Sequence, residues 1–285
     1  MDMMPAEITI QAPHTRMAAK VWGQADGVPT LALHGWMDNA GTYDGLAPLL
    51  PWLNLVALDL PGHGFSEHRP VGMYYHYTDY VGDVMAAADA LNWDRFFLLG
   101  HSMGAGIACL AAGAFPERVS RLALIEGIGA VIGDIADASE SLRRSVLEMK
   151  GAGSRSQARS DFDRMIRARA AAGRIKRSSA EALVRRGTRE DGEGLVWRSD
   201  PRLKIQTPVC FTEALMQSYL RSIEAPALLI TAEDGLLRKR SNYRSRCGAI
   251  RNLDVVTLPG GHHLHLDDPG PVAKALAAFT RAASG

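Results

Sequence analysis

The chain has 285 residues, of which 47% are hydrophobic and 22% are charged, a composition typical of folded globular proteins and not of disordered ones. Its formal net charge of +1 offers no general attraction for a phosphate backbone or an anionic membrane surface, so we expect neither nucleic acid nor membrane as a partner. The length is sufficient for one large domain or two ordinary ones, without disulfide or metal cross-links.

Eight short apolar runs alternate with stretches of helical spacing, which is the pattern of a sheet with crossover helices. In chain order, the predicted strands are EITIQA, MAAKVWG, PTLALHG, LNLVALDL, RFFLLG, RLALIEG, ALLITA and LDVVTLP. The stretches with helical spacing between them lie around residues 43–50, 76–91, 103–114, 240–249 and 271–282. We therefore expect an α/β fold with a largely parallel sheet.

The interval 128–223 breaks this rhythm and is predicted to be a helical cap inserted between two strands. It has almost no strand-like run, and two joints rich in Gly and polar residues, GAGSRS and REDGEG, divide it. Residues 1–127 and 224–285 would then form the α/β core. The apolar cap residues expected either to line a pocket or to pack among the cap helices are Leu147, Met165, Ile166, Leu183 and Trp197.

The segment LLGHSMGAG contains the pattern GxSxG, with Ser102 at its centre, directly after a predicted strand and before a predicted helix. Such a sharp turn requires small residues two positions before and two after the serine, and Gly100 and Gly104 satisfy this requirement. We therefore predict that Ser102 is a nucleophile exposed at the carboxyl edge of the sheet.

A serine hydroxyl needs a base to become a good nucleophile, and a late loop supplies three candidate histidines. The segment LPGGHHLHLDDP follows the last predicted strand and contains His262, His263 and His265. We predict His262 as the base because it comes first after the Gly-Gly turn. His263 is the main alternative, and His265 is expected to pack or to cap the following helix.

Two strand ends offer an acid that could orient this histidine. Glu126 ends the strand LALIE, and Asp234 lies just past LLITA. Both would lie at the same edge of the sheet as Ser102, so chain order alone leaves the two acids as alternatives.

The oxyanion of an acyl-transfer intermediate requires backbone N–H donors from two loops. The N–H of Met103, at the start of the helix, is the first candidate, and that of Trp36 in LALHGWMDNAG is the second. The glycines of GAGIACLAAG lie inside a predicted helix and do not form a nucleotide-binding turn, so we expect no cofactor. The scattered histidines, such as His63 and His68, predict no metal site.

The three cysteines, Cys109, Cys210 and Cys247, are widely spaced and odd in number, which indicates packing residues in a reducing compartment. The segment MDMMPAEITIQAPH has no basic stretch followed by an apolar run, and no run of about 18 apolar residues occurs. We therefore expect a cytoplasmic protein.

Taken in order, the motifs HGW, DLPGHGFS, GHSMG and GGHHLHLDDP resemble those of the α/β-hydrolase superfamily over nearly the whole chain. More narrowly, LALHGWMDNAGTYDGLAPLL, VRRGTREDGEGLVWRSDPRLK and LPGGHHLHLDDP are similar to the serine hydrolase-like proteins. This resemblance implies an eight-stranded, mostly parallel sheet with helices on both faces and a helical cap. It also implies that Ser102 is the nucleophile and His262 the base. Because Glu126 follows the sixth strand, the resemblance favours Glu126 over Asp234 as the acid.

The resemblance implies hydrolysis of a small carboxylic ester through an acyl-enzyme. The same residues could cleave a lactone, an amide or a carbon–carbon bond, and a binding protein that has lost catalysis is the alternative outside enzymes. The sequence leaves open whether the protein forms a homodimer. The string Trp197 to Leu203 has no assigned role, although Arg198 and Asp200 could pair there to hold the cap on the core.

Overall fold

A computed structural model of the chain describes residues 4–152, 159–192 and 194–282. Its main sheet has eight strands in the order β1-β2-β4-β3-β5-β6-β9-β10. The first two pairs of neighbours are antiparallel, and every later pair is parallel. The strands are β1 (Ala6–Gln11), β2 (Arg16–Trp22), β3 (Val28–Leu33), β4 (Leu53–Leu58), β5 (Phe96–His101), β6 (Val119–Ile125), β9 (Ala227–Ala232) and β10 (Leu253–Leu258). The predicted eight-stranded, mostly parallel sheet is therefore confirmed.

Helices pack on both faces of this sheet, as the sequence predicts. The helices of the main body are α1 (Tyr77–Ala90), α2 (Met103–Ala114), α7 (Tyr243–Cys247), α8 (Leu264–Asp267) and α9 (Pro269–Ala282). Alternate residues of each central strand face opposite layers. In β5, for example, Leu98 packs in the layer of α1 and α2, whereas Phe97 and Leu99 pack in the layer of α9.

Among the described residues between β6 and β9 lie four α-helices: α3 (Ala138–Ala152), α4 (Phe162–Gly173), α5 (Arg177–Gly187) and α6 (Glu213–Arg221). Met165, Ile166 and Leu183 are buried in a separate apolar cluster of this region, and Trp197 packs against that cluster. Leu147 is exposed. The predicted helical character of the insertion thus agrees with the structure, and its role as a cap stays a prediction.

Two local expectations differ from the structure. The segment 43–50 does not form an α-helix: two short 3-10 helices, Ala40–Tyr43 and Ala47–Leu49, stand there, and Pro48 lies within the second. In the joint REDGEG, residues 189–191 and 194 belong to two strands that pair antiparallel, β7 (Thr188–Asp191) and β8 (Gly194–Trp197). Its Asp-Gly pair is a common hairpin-turn signal. Most of the other joint, GAGSRS, lies outside the described residues.

The insertion is held on the main sheet by a buried ion pair. Arg186, at the end of α5, donates from Nε to both carboxylate oxygens of Asp59, at 2.9 and 2.8 Å, and both side chains are almost fully buried. Asp59 also accepts hydrogen bonds from the backbone N–H groups of Ala40 and Phe65. These contacts satisfy the carboxylate in the interior and fix the insertion relative to the loops at the carboxyl edge of the sheet.

The string Trp197 to Leu203 also joins the insertion to the main body, but not as predicted. Asp200 pairs with Arg202 (2.6 Å) and accepts a hydrogen bond from the Tyr75 hydroxyl (2.8 Å). Arg198 instead donates to the carbonyl oxygen of Thr188, so the expected pair between Arg198 and Asp200 is wrong. Asp200 is the N-cap of the 3-10 helix Pro201–Lys204, and its side chain accepts from the backbone N–H of Arg202, which turns the carboxylate towards the Arg202 side chain.

Within the described part of the chain, no helix combines the length and the apolar character that crossing a bilayer demands.

Candidate active site

Ser102 lies on a strained turn between β5 and α2. Its φ of 52° is in the left-handed region, which non-glycine residues rarely adopt. A Cβ added at Gly100 would come within 2.5 Å of the Gly104 carbonyl oxygen, and one at Gly104 within 2.2 Å of the Leu33 carbonyl oxygen. Both glycines are therefore required by close backbone approach, and the turn leaves the Ser102 side chain partly accessible at the sheet edge.

His262 lies in the loop after β10 and reaches Ser102. The distance from His262 Nε2 to Ser102 Oγ is 2.9 Å, within hydrogen-bonding range. The His101 side chain holds this loop in place, because its Nε2 lies 2.9 Å from the carbonyl oxygen of His262. The two other candidates point elsewhere: His263 contacts Asp38, and His265 contacts the Thr42 hydroxyl.

Glu126 lies on the far side of the His262 ring from Ser102. Its Oε2 is 3.2 Å from His262 Nδ1, and its carboxylate accepts hydrogen bonds from the backbone N–H groups of Ala232 (2.8 Å) and Leu236 (3.1 Å). Burial raises the pKa of Glu126, but the hydrogen bonds from His262 and Ala232 outweigh burial and lower the pKa overall. The carboxylate is therefore ionised and able to orient the imidazole.

Asp234, the alternative acid, does not reach His262. Its side chain is exposed, and its backbone N–H donates to the carbonyl oxygen of Gly260. The neighbouring Gly235 leaves the room that the Glu126 carboxylate fills, since a Cβ there would lie 2.4 Å from both carboxylate oxygens. The structure thus brings together Ser102, His262 and Glu126, and leaves Asp234 in solvent.

The two predicted oxyanion donors flank Ser102. Met103 is the first residue of α2, where the backbone N–H groups have no partner in the helix. Trp36 lies in the loop after β3 and lines the same cavity wall as Ser102 and Met103. In the part of the chain that the structure describes, no protein group accepts from either of these two backbone N–H groups. The Trp36 ring donates from Nε1 to the Leu203 carbonyl oxygen at 3.0 Å, which joins this loop to the insertion.

Behind the site lies a buried cluster of charged and imidazole side chains that sequence reasoning missed. Asp38 is 3% exposed, pairs with Arg169 of α4, and lies 3.3 Å from His263 Nε2. Burial alone raises the pKa of Asp38, but the contacts with His263 and Arg169 hold that pKa well below its ordinary value. Burial and the neighbouring imidazoles lower the pKa of His101 well below its ordinary value, so its ring is neutral. The pair between Asp38 and Arg169 fixes α4 above the site.

This cluster also contains atoms of the kind that bind metals. One ligand atom each from Asp38, His101 and His263 lie within 4.8 Å of one another among the described residues, a grouping that the sequence did not predict. The Arg169 guanidinium, however, already provides a cation against the Asp38 carboxylate.

We expect Asp38→Asn to lower the free energy of unfolding by about 3 kcal/mol at neutral pH, since Arg169 loses its partner in a buried setting. Because the pKa of Asp38 is lower in the folded than in the unfolded state, the carboxylate stabilises the fold above its ordinary pKa of about 3.8. That contribution is lost as the pH falls through the folded-state value. Urea unfolding from pH 3 to 7 should show a difference between wild type and variant that is constant above about pH 5 and shrinks below about pH 4. A difference independent of pH would contradict this account.

Two cavities meet at Ser102 and Trp36, which line both. The first, of about 450 Å³, lies beneath α4 and is lined also by His262, Trp197 and Lys204. We call it the histidine cavity. The second, of about 320 Å³, we call the tyrosine cavity because its walls include three tyrosines: Tyr75, Tyr77 and Tyr80. Of the apolar insertion residues considered from sequence, Trp197 is thus a wall residue of the site.

Comparisons with known proteins show to which family the chain is similar. A family model described as the alpha/beta hydrolase fold matches residues 29–148. A serine hydrolase-like protein from Danio rerio is 31% identical, covering 96% of this chain and 88% of that protein. Serine hydrolase-like protein 2 from Homo sapiens is 32% identical, covering 96% of this chain and 93% of that protein.

Solved structures show the same fold. The crystal structure of a hypothetical protein from Pseudomonas aeruginosa PAO1 is 40% identical, with a TM-score of 0.93 and coverage of 96% of this chain and 99% of that one. A thioesterase domain from the curacin biosynthetic pathway has a TM-score of 0.86 at 22% identity, covering 96% and 99% of the two chains. The latter likeness is one of fold alone.

Proposed function

Because the chain belongs to the serine hydrolase-like group of the α/β-hydrolase family, and its relatives support hydrolase activity, we propose that it cleaves carboxylic esters through an acyl-enzyme on Ser102. The observation that carries this proposal is the continuous chain of contacts from Ser102 Oγ to His262 Nε2 (2.9 Å) and from His262 Nδ1 to Glu126 Oε2 (3.2 Å). A nucleophile, a base and an orienting acid in this geometry are the requirements of acyl transfer.

In the first half of the reaction, Ser102 Oγ attacks the ester carbonyl carbon while His262 Nε2 takes the serine proton. Glu126 holds Nδ1–H and stabilises the imidazolium that forms. The negative charge on the carbonyl oxygen is held by the backbone N–H groups of Trp36 and Met103. His262 then gives its proton to the leaving alkoxide, and the alcohol departs.

In the second half, a water molecule replaces the alcohol. His262 takes a proton from the water as its oxygen attacks the acyl carbon, and the same two N–H donors hold the second oxyanion. Collapse of this intermediate returns the proton to Ser102 Oγ and releases the carboxylic acid. The buried, neutral His101 supports the geometry because its Nε2 binds the carbonyl oxygen of His262 and so fixes the backbone of that residue.

A lactone, an amide or a carbon–carbon bond could enter the same steps, because these reactions share the nucleophile, the base and the oxyanion. An open ester is favoured here because two separate cavities meet at Ser102, one for each side of the scissile bond. A protein that only binds ligands would not need the strained backbone at Ser102, which costs stability and is typical of reactive sites.

We expect a fluorophosphonate probe to label the wild-type protein at Ser102 and at no other serine, because only an activated hydroxyl attacks phosphorus readily. Mass spectrometry of the digested protein locates the adduct. Ser245→Ala, at an exposed serine that is not among the lining residues of either cavity, is the matched control and should label normally. Absence of labelling in the folded wild-type protein would favour the non-catalytic alternative.

We also propose that the protein works in a reducing compartment such as the cytoplasm. The free state of Cys109, Cys210 and Cys247 supports this location.

A further inference from the structure

The position of His262 relative to Ser102 determines in which cavity the alcohol part and the acyl part of an ester bind. His262 must protonate the leaving oxygen, so the alcohol departs towards the cavity that His262 lines. That is the histidine cavity. The acyl substituent on the same tetrahedral carbon then points into the tyrosine cavity, whose described lining includes Ser102 and Met103 and does not include His262.

The tyrosine cavity continues into a third cavity of about 440 Å³, which we call the apolar groove. The two share Tyr77, Val131 and Thr207 as wall residues, so the space beside Ser102 extends along the junction of α1 and the insertion. Most of the groove wall is apolar or aromatic, including Phe211 and Tyr219. Among its described lining residues there is no Asp, Glu, Lys or Arg.

The apolar groove exposes large hydrophobic side chains to water. Val131 is 58% exposed, Val209 77% and Leu215 46%. Burying such side chains against an alkyl chain is favourable in proportion to the apolar area removed from water. The charged residues of the tyrosine cavity do not oppose this use, since Glu126 is held by His262 and Arg240 is exposed to solvent.

We propose that the acyl chain of the substrate passes from Ser102 through the tyrosine cavity into the apolar groove, so that the protein prefers esters of medium-chain and long-chain fatty acids. This inference rests on the proposed function, because it assumes an acyl-enzyme on Ser102. It assigns Val131 and Thr207 as the wall residues that separate short acyl chains from long ones.

The test is a series of p-nitrophenyl esters, from acetate to dodecanoate, measured below their micelle concentrations. For the wild-type protein, kcat/KM should rise by up to about fourfold for each methylene that enters the groove. In Val131→Trp, the indole would fill the junction of the two cavities. The ratio of kcat/KM for decanoate to that for acetate should then fall by at least about 30-fold, because several methylenes lose their burial.

The matched control is Val71→Trp, which adds the same side chain at a position 98% exposed and outside these cavities; it should keep the wild-type ratio. Thr207→Trp provides a second blocking variant should Val131→Trp fail to fold, as judged by circular dichroism and thermal unfolding. A second ester series, butyrates of alcohols of increasing length, should be unaffected by either blocking variant because the alcohol lies in the histidine cavity.

Two results would overturn the proposal. One is a wild-type kcat/KM that does not rise with the length of the acyl chain, although turnover still depends on Ser102. That result would leave the proposed function intact. The other is a blocking variant that changes selectivity for the alcohol and not for the acyl chain, which would reverse the assignment of the cavities. Loss of all Ser102-dependent turnover and of probe labelling in the wild type would instead contradict the proposed function itself.

Discussion

Replacing Ser102 with alanine is expected to lower kcat for p-nitrophenyl butyrate by up to about a millionfold, by analogy with other serine triads. The alanine cannot form the acyl-enzyme, and the His262 base is left without a proton donor at Nε2. The remaining turnover would come from the oxyanion donors and from substrate binding. Initial rates over a range of substrate concentrations, followed at the absorbance of p-nitrophenolate, measure the loss.

The backbone at this position makes the substitution a clean test. Ser102 already holds a Cβ at a φ of 52°, and alanine places the same atom there, so we expect the melting temperature to change little. Ser245→Ala provides the matched serine control and should retain wild-type turnover. If Ser102→Ala kept more than about one hundredth of the wild-type kcat, a triad mechanism that costs far more when the nucleophile is removed could not hold.

The contact between Ser102 and His262 could be predicted from sequence because both residues lie on local features with strong constraints. The turn at Ser102 needs Gly100 and Gly104 for reasons of backbone space, and these appear at fixed spacing. His262 follows the last strand of a parallel sheet, so its loop must emerge at the same edge as Ser102. The central strands β3, β5, β6 and β9 were predictable for a related reason: parallel strands that are covered on both faces are nearly continuous apolar runs.

The residues alone could not show whether Glu126 or Asp234 lies against His262, because the two follow strands that are neighbours in the sheet. What separates them is the local geometry of the loop after β9. Asp234 uses its backbone N–H on Gly260, which leaves its side chain in solvent, and Gly235 makes space for Glu126. The resemblance to the serine hydrolase-like group favours Glu126, whose carboxylate lies 3.2 Å from His262 Nδ1; its role as the acid stays a prediction.

The pair between Asp38 and Arg169 had no signal in the sequence. The two residues are 131 positions apart, and one lies in a helix of the insertion whose orientation depends on the whole fold. The hairpin of β7 and β8, by contrast, did carry a signal in the sequence, the Asp-Gly pair at positions 191–192. The helical composition of the surrounding interval outweighed this signal, so the hairpin was missed.

Glu126→Gln is expected to lower kcat by about 10⁴-fold, the loss seen when a triad carboxylate becomes an amide, while Asp234→Asn should stay within about twofold of wild type. The buried Ala232 N–H requires an acceptor at one oxygen position, which turns the glutamine NH₂ towards His262 Nδ1 and Leu236 N–H. The imidazole then carries its proton on Nε2 and cannot accept one from Ser102. The opposite amide rotamer would leave the Ala232 N–H facing a donor, so thermal unfolding should show a moderate loss of stability in either case. Glu126→Asp, which keeps the negative charge, should have a higher kcat than Glu126→Gln. Equal and mild effects of Glu126→Gln and Asp234→Asn on kcat would show that neither carboxylate orients His262.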